Sequence, residues 1–543
     1  MSAQSQPQSK SNLQAEAQAV TRPDAATLAD AVPMKSWIAV FGVALGAFMA
    51  VLDIQITNSS MADIQGTLGA TLDEGSWIAT SYLVAEIMVI PLTALFSRVF
   101  STRRYLLATA ALFVVFSVAC AFSWNLQAMI VFRMAQGFTG GALIPMAMTT
   151  MMTQLPKAKQ PIGMAIFGLT ATFAPSIGPA LGGWLTSNFG WKYIFFLNIL
   201  PGIAMMSAIA YSFPKQKMQL EILRTVDWFS VLAMAVGLGS LEVVLEEGNR
   251  KDWFGSPLIL NLAIVAAITL TFFLWRQLTA KQPFINLRLL GERNFGVGAT
   301  ANVILGMGMY GSIYVLPMYL TQIQGYDAQQ IGGVLMWMGL PQLFIVPFIP
   351  KLMQKIDPRI MIAVGLIVFG GSSVMNAFMT ADHSGDQLAF AQVVRALGQP
   401  LIMIPLSSLA MSRIAPEQAA SASALFNMLR NLGGSVGIAL ISTFLTRREQ
   451  FHSNIIGQSV TLFDPATQDR LNQMTASFAA RGADMWTAHQ QAFAMIDRLV
   501  RRESFIMAFN DCFFFFGCVL IVAAGTAFIL KKAQSGGSAA GAH

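Results

Sequence analysis

Runs of about 20 apolar residues, the length an α-helix needs to cross a bilayer, recur along almost the whole chain. They fall near 37–58, 76–96, 105–123, 127–150, 162–184, 194–213, 228–246, 258–276, 295–320, 329–350, 360–380, 387–411, 423–446 and 505–530. The pattern therefore predicts fourteen membrane helices, most of them joined by short polar connections. Two polar segments are longer. Residues 1–33 are rich in Gln, Ala and Ser and contain no aromatic residue, which predicts a disordered tail. Residues 447–504 separate the last two spans, and their Gln/Ala/Met-rich run from about 467 to 502 has a helical pattern with Phe478, Met485, Phe493, Met495 and Ile496 available for an apolar stripe. The run that begins near Trp37 has no small-residue cleavage pattern and reads as a retained helix rather than a signal peptide.

Composition agrees with a chain that sits in lipid. It is 55% hydrophobic and 11% charged, against roughly 25% charged in soluble domains. The net charge of +7 does not point to nucleic acid, because Lys and Arg follow membrane topology. With the N-terminus inside, alternate connections hold Arg98, Arg103 and Arg104, then Lys157 and Lys159, then Lys215, Lys217 and Arg224. The series continues through Arg276, Lys281, Arg288 and Arg293, then Lys351, Lys355 and Arg359, then Arg413, and ends at Lys531 and Lys532. The short connections on the other side hold only Lys192, Arg250 and Lys251, an asymmetry of 18 to 3. Both termini are thus expected in the cytoplasm. The 447–504 segment carries seven arginines but is long enough to be exempt from that rule.

Cys120, Cys512 and Cys518 all lie in apolar runs, with neither disulfide nor metal spacing. His383, His452, His489 and His543 read as loop or tail residues, which excludes a histidine proton relay inside the membrane. No nucleotide loop, metal cluster or nucleophile–base set is present, so neither an enzyme nor a bound cofactor or metal is expected.

An internal repeat organises the chain. Arg133 to Pro145 spans 12 positions and Arg395 to Pro405 spans 10; Pro156 and Pro416 each follow 11 residues later. A glycine-rich helix comes next in each half, with Gly178, Gly182 and Gly183 in one and Gly433, Gly434 and Gly437 in the other. Two like-oriented repeats around a cavity are an architecture of alternating-access carriers. The expected division is a tail over 1–35, a six-helix bundle over 36–214, an inserted helix pair with linkers over 215–293, a second six-helix bundle over 294–530, and a tail over 531–543.

Ionisable residues at membrane depth cost roughly 2.5–3.5 kcal/mol each and mark function by default. Asp53 lies about 16 residues, roughly 24 Å, above the inner end of the first span. Arg133 lies about 6 residues, roughly 9 Å, below the outer end of the fourth. The depths match, so an Asp53–Arg133 pair is expected. Glu86 sits near the midplane of the second span with no cation at helical spacing; it is a candidate to take up a proton or meet a cationic ligand. Arg430 is expected to snorkel, Glu242 is a weaker candidate in the seventh span, and Asp511 reads as interfacial. Gly178-Pro179 with Gly182-Gly183 predicts a kink and a side-chain-free surface inside the fifth span, a break tolerated only beside neighbouring helices or a cavity.

Several segments resemble one family. Leu52-Asp53-Ile54-Gln55-Ile56-Thr57-Asn58 is similar to its Leu-Asp-x-Thr-x-x-Asn, with Gln55 in place of the threonine. Arg133, Gln136 and Gly137 match its fourth helix, and Gly178-Pro179 with Gly182-Gly183 its antiporter signature. Trp191 through Asn198 is close to its Trp-Arg-Trp-x-Phe-x-x-Asn, and Gly248 with Asp252-Trp253-Phe254 resembles its seventh-to-eighth connection. The family is the EmrB/QacA-type, 14-helix drug:proton antiporters of the major facilitator superfamily. One departure stands out: the connection after the second span carries Arg98 where the superfamily has an acidic residue, and lacks both of its glycines.

The resemblance implies an all-α major-facilitator fold with two six-helix bundles plus two inserted helices. It implies multidrug efflux from the bacterial inner membrane, driven by the proton motive force, of drugs or amphiphiles. Asp53, Glu86 and Arg133 become the proton-coupling candidates, and Arg103 and Arg104 the candidate cytoplasmic gate. Gln136, Met307, Tyr310, Tyr314 and Arg430 are candidates to line the cavity. The long outer segment implies a periplasmic membrane-fusion adaptor and an outer-membrane channel as partners. Export of a specific metabolite, such as an aromatic or fatty acid, stays open as an alternative.

Overall fold

The computed structural model describes residues 32–280 and 283–531. The expected tails fall largely, and Lys281, Lys532 and His543 wholly, outside the described residues. Twelve helices are long and apolar enough to span a membrane, and a thirteenth is a pair bent by 59°. In chain order the spans are α1 (Met34–Ser59), α2 (the bent pair Asp73–Val89 and Thr93–Val99) and α3 (Thr102–Ala121). The place of the expected fourth span is taken by α4, two shorter pieces, Leu126–Gly140 and Leu143–Gln154. Gly141 and Ala142 between them keep right-handed helical angles, so the two pieces follow one path. Then come α5 (Gln160–Phe189), α6 (Lys192–Ser212), α7 (Trp228–Glu247), α8 (Pro257–Thr279) and α9 (Arg293–Gln322). The last five are α10 (Ala328–Lys355), α11 (Pro358–Phe378), α12 (Gly385–Met411), α13 (Pro416–Ser459) and α14 (Met485–Ile529).

The bend in α2 has a local cause. Pro91 lies in the break, and proline cannot donate the backbone hydrogen bond that would carry the helix through. Glu86 sits just before this bend.

The sequence pattern predicts a kink and a side-chain-free surface in α5; the helical assignment continues through Pro175 and Pro179. Its glycines form contact surfaces. A Cβ on Gly178 would stand 2.5 Å from Gln55 Cβ and one on Gly182 2.9 Å from Ile56 O, both on α1. A Cβ on Gly183 would stand 2.8 Å from the Ala328 backbone on α10. In return, Cβ atoms on Gly332 and Gly339 of α10 would stand 2.2 Å from Ala180 Cα and 2.4 Å from Ser176 Cβ. Helices α5 and α10 therefore meet backbone to backbone, the close approach that small residues give membrane helices.

This seam joins the two halves near the face that carries Ser59, Asp73 and Ala328. Near the opposite face, where the described residues begin and end, α4 meets α13: Asn427 Nδ2 lies 3.4 Å from Met148 Sδ and Ser423 Oγ 3.8 Å from Met152 Sδ. The halves thus touch toward both faces. Helix α7 packs on α2 and α13 beside the junction, and α8 packs on α7.

The segment between α13 and α14 departs from a simple loop. Helix α13 continues to Ser459, a separate helix covers Pro465–Ala480, and α14 already begins at Met485. The result is a helical hairpin beyond the apolar spans. Its contacts use Leu471, Thr475, Ala488 and Ala492, all buried; Met485, Phe493 and Met495 of the expected stripe stay exposed. Small alanines let the helices approach closely, which leaves the larger side chains outside. His452, read as a loop residue, lies in the extension of α13. It is buried against Asp511 of α14 at 2.8 Å, with Arg448 2.6 Å from the same carboxylate.

Candidate functional site

Among the described residues, two clusters built around buried carboxylates lie at membrane depth, one inside the first half and one between the halves.

The first is centred on Asp53. Arg133 Nη1 donates to Asp53 Oδ2 at 2.5 Å. Gln136 Nε2 and Asn198 Nδ2 donate to Oδ1 at 3.0 and 2.8 Å. Arg133 also donates to Gln136 Oε1 at 2.8 Å and stacks over the Tyr82 ring at 4.3 Å from its centroid. Ser117 Oγ accepts a second contact from Asn198 at 3.0 Å. The side chains of Asp53 and Arg133 are 2% and 1% exposed. Each charge is therefore matched and hydrogen-bonded, the condition under which a buried pair is tolerated. The expected Asp53–Arg133 pairing is present, but the depth argument could not show that Asn198 and Gln136 complete it. Gln136 is fully buried in this network and does not line an open cavity.

The second cluster surrounds Glu86. Its side chain comes from α2, yet its hydrogen-bond donor, Asn431 Nδ2 at 3.0 Å, belongs to α13 in the other half. Glu86 is 2% exposed, and its Oε2 has no hydrogen-bond partner among the described residues. Gly141 of α4 makes room for it: a Cβ there would stand 2.9 Å from Glu86 Cα. Glu86 faces a cavity of about 40 Å3 shared with Glu242 and Glu246 of α7, Tyr310 of α9, and Asn431 and Ser435 of α13. Ser435 Oγ donates to Glu242 Oε1 at 2.6 Å.

The remaining candidates are scattered. Tyr310 lines the cavity. Met307 instead packs against Gly437 of α13, whose added Cβ would stand 2.6 Å from Met307 Cα. Tyr314, one turn beyond Tyr310, packs against an apolar cluster of α9, α10, α12 and α14. Arg430 does not snorkel: it is 3% exposed, and its guanidinium lies 5.8 Å from the Phe167 ring of α5. Its helix packs closely on α9, where a Cβ on Gly433 would stand 2.9 Å from Val303 Cα, and the side chain stays inside that junction. Of the gate candidates, Arg103 donates to Ala210 O of α6 at 2.8 Å. It lines a crevice of about 430 Å3 at the chain-end face, with Arg98, Thr150, Gln154 and Pro416. Arg104 is exposed.

The Major Facilitator Superfamily profile matches residues 43–438. The chain belongs to the Major Facilitator Superfamily. Among relatives, it is 36% identical over 494 residues to the colistin resistance protein EmrB of Acinetobacter baumannii, covering 91% of this chain and 96% of that one. It is 31% identical to the fatty acid resistance protein FarB of Neisseria gonorrhoeae, covering 88% and 92%. It is also 31% identical to the multidrug export protein EmrB of Escherichia coli K12, covering 93% and 98%. Among solved structures, the human organic anion transporter MFSD10 (TETRAN) aligns with a TM-score of 0.56 at 12% identity, over 91% of this chain and 99% of that one. That likeness supports the fold.

Within this superfamily member the two halves are not electrostatic copies. Arg395, the repeat counterpart of Arg133, is buried and donates to Met309 O at 3.3 Å. Its guanidinium lies 5.1 Å from the Phe369 ring, and among the described residues it has no carboxylate partner. Sequence reasoning found the two arginines but gave no signal for this difference. It also passed over Asn431, Ser435 and Glu246, which join the site only because α7 and α13 are brought against α2.

Proposed function

We propose that this chain exports lipophilic or cationic small molecules in exchange for protons, by alternating access, from the bacterial inner membrane. The observation that carries the reading is the Glu86–Asn431 contact: a buried carboxylate of one half held by the other half. Burial penalises the charged form of a carboxylate, and either a proton or an organic cation relieves that penalty. The two therefore compete for one site, which is the requirement for exchange. Asp53 is less suited to that role, because Arg133, Gln136 and Asn198 already occupy its oxygens.

Neutralising Glu86 changes what it offers to Asn431, and so changes the contact between halves that rock against each other. The proton motive force is the energy source in this account. The Lys/Arg asymmetry supports a cytoplasmic location for both termini, and hence an extracytoplasmic location for the hairpin. That hairpin, with its exposed Met485, Phe493 and Met495, is the surface we assign to a periplasmic membrane-fusion adaptor that leads to an outer-membrane channel.

The relatives' names support efflux of drugs. Export of an anionic amphiphile is a second reading, favoured by the fatty acid resistance relative and by Arg395 and Arg430, buried without carboxylate partners among the described residues. Proteoliposomes containing an internal pH dye test both. Ethidium-induced proton flux supports the first reading. Flux induced by decanoate but not by ethidium or tetraphenylphosphonium supports the second.

A further inference from the structure

Helix α7 belongs to the inserted pair, outside both six-helix bundles, yet its hairpin-face end carries Glu242, Glu246 and Glu247. They follow one another from the exposed face toward the site. Asp73, with a side chain 80% exposed, accepts from Arg250 at 2.7 Å, and Arg250 lies 3.5 Å from Glu247. Glu247 is buried and accepts from Thr80 of α2 at 2.9 Å. Its chain neighbour Glu246 turns toward the cavity. Glu242 lies four residues earlier, about 6 Å deeper along the helix, and Glu86 faces it across the same space.

Two further observations set this apart from a mere acidic patch. Glu86 Oε2 and Glu242 Oε2, on side chains about 2% exposed, and Glu246 Oε1 have no hydrogen-bond partner among the described residues. The cavity they share, about 40 Å3, has room for two or three waters at about 15 Å3 each. It is far below the roughly 300 Å3 at which small-molecule pockets begin. In this conformation the space fits protons and water and is too small for a drug, so cargo meets Glu86 only once the halves have moved apart.

We propose that α7 is the proton-intake limb of the carrier: Glu246 and Glu242 pass protons between the hairpin face and Glu86 through this water-sized space. The inference rests on the antiport reading above. Each hop breaks one carboxyl O–H bond and forms another on the next carboxylate, directly or through water. One proton moves inward per relay and nothing is oxidised. The other charged or titratable groups that face the relay include Tyr82 from α2, Tyr310 and Tyr314 from α9, Arg430 from α13, Arg133 from α4, and Arg250 beyond the end of α7. Of these, Tyr310 lines the same space as the three carboxylates.

The test is ethidium-driven proton flux in proteoliposomes as a function of external pH, compared between wild type and Glu242→Gln, Glu246→Gln and the double variant. A relay predicts at least a tenfold fall in flux near neutral pH, partial rescue at lower external pH, and partial recovery in Glu246→Asp. A purely structural role for α7 lowers the flux by the same factor at every pH, and that result overturns the proposal. Wild type that moves ethidium with no proton flux overturns the antiport reading itself. A second measurement needs no variant: the infrared carbonyl bands of protonated carboxyls in the wild-type protein. The relay predicts bands that titrate with external pH and shift when ethidium is added; bands indifferent to both contradict it.

Discussion

Asn431 of the second half donates a 3.0 Å hydrogen bond to Glu86 of the first. A carboxylate with a single hydrogen-bond partner among the described residues is thus held at the junction that must open and close. An Asn431→Ala substitution leaves a buried acceptor unpaired, a loss of about 1–3 kcal/mol. Ethidium export should fall by about tenfold or more, while the protein still elutes as a folded monodisperse peak.

The Asp53–Arg133 pair makes a different prediction. Both side chains are enclosed in one bundle, so removing one leaves an uncompensated charge that costs about 3–5 kcal/mol. Arg133→Leu and Asp53→Leu should each lower the melting temperature markedly in a fluorescence thermal-shift assay. The double variant, with no lone charge, should recover part of the loss.

Much of this was legible in the chain before folding. The fourteen apolar runs marked the spans, and the matching depths of Asp53 and Arg133 anticipated their ion pair. Those signals are local: length, periodicity and position along a helix. The site around Glu86 was half hidden because its partners come from α7 and α13, more than 150 residues away, and no spacing rule links them. The glycines of α5 announced a side-chain-free surface, but only the approach of α1 and α10 shows what Gly178 and Gly183 face. Arg430 near a helix start looked free to snorkel, and packing against Phe167 prevents it.

The seam between α5 and α10 should be sensitive to volume. A Cβ on Gly332 would stand 2.2 Å from Ala180 Cα, a backbone atom that cannot step aside. Gly332→Leu should therefore hold the two halves apart at the hairpin face. In a Ser176→Cys background, a membrane-impermeant maleimide applied from that side should react at least tenfold faster when Gly332→Leu is present.

The hairpin should be separable from transport. Removing residues 461–484 takes out the Pro465–Ala480 helix but leaves the helical extensions of α13 and α14 to be rejoined. Export by the purified protein in liposomes should continue at close to the wild-type rate. Whole-cell resistance should fall to the level of cells without the transporter, as measured by minimal inhibitory concentrations.

The central claim is that Glu86 is the carboxylate at which proton and cargo exchange. The most direct measurement is ethidium-driven proton flux in liposomes for Glu86→Gln beside wild type, at matched amounts of folded protein. The account predicts that wild type releases protons as ethidium moves and that Glu86→Gln abolishes this release across the whole pH range tested. Full proton-coupled export by Glu86→Gln at every pH would contradict it.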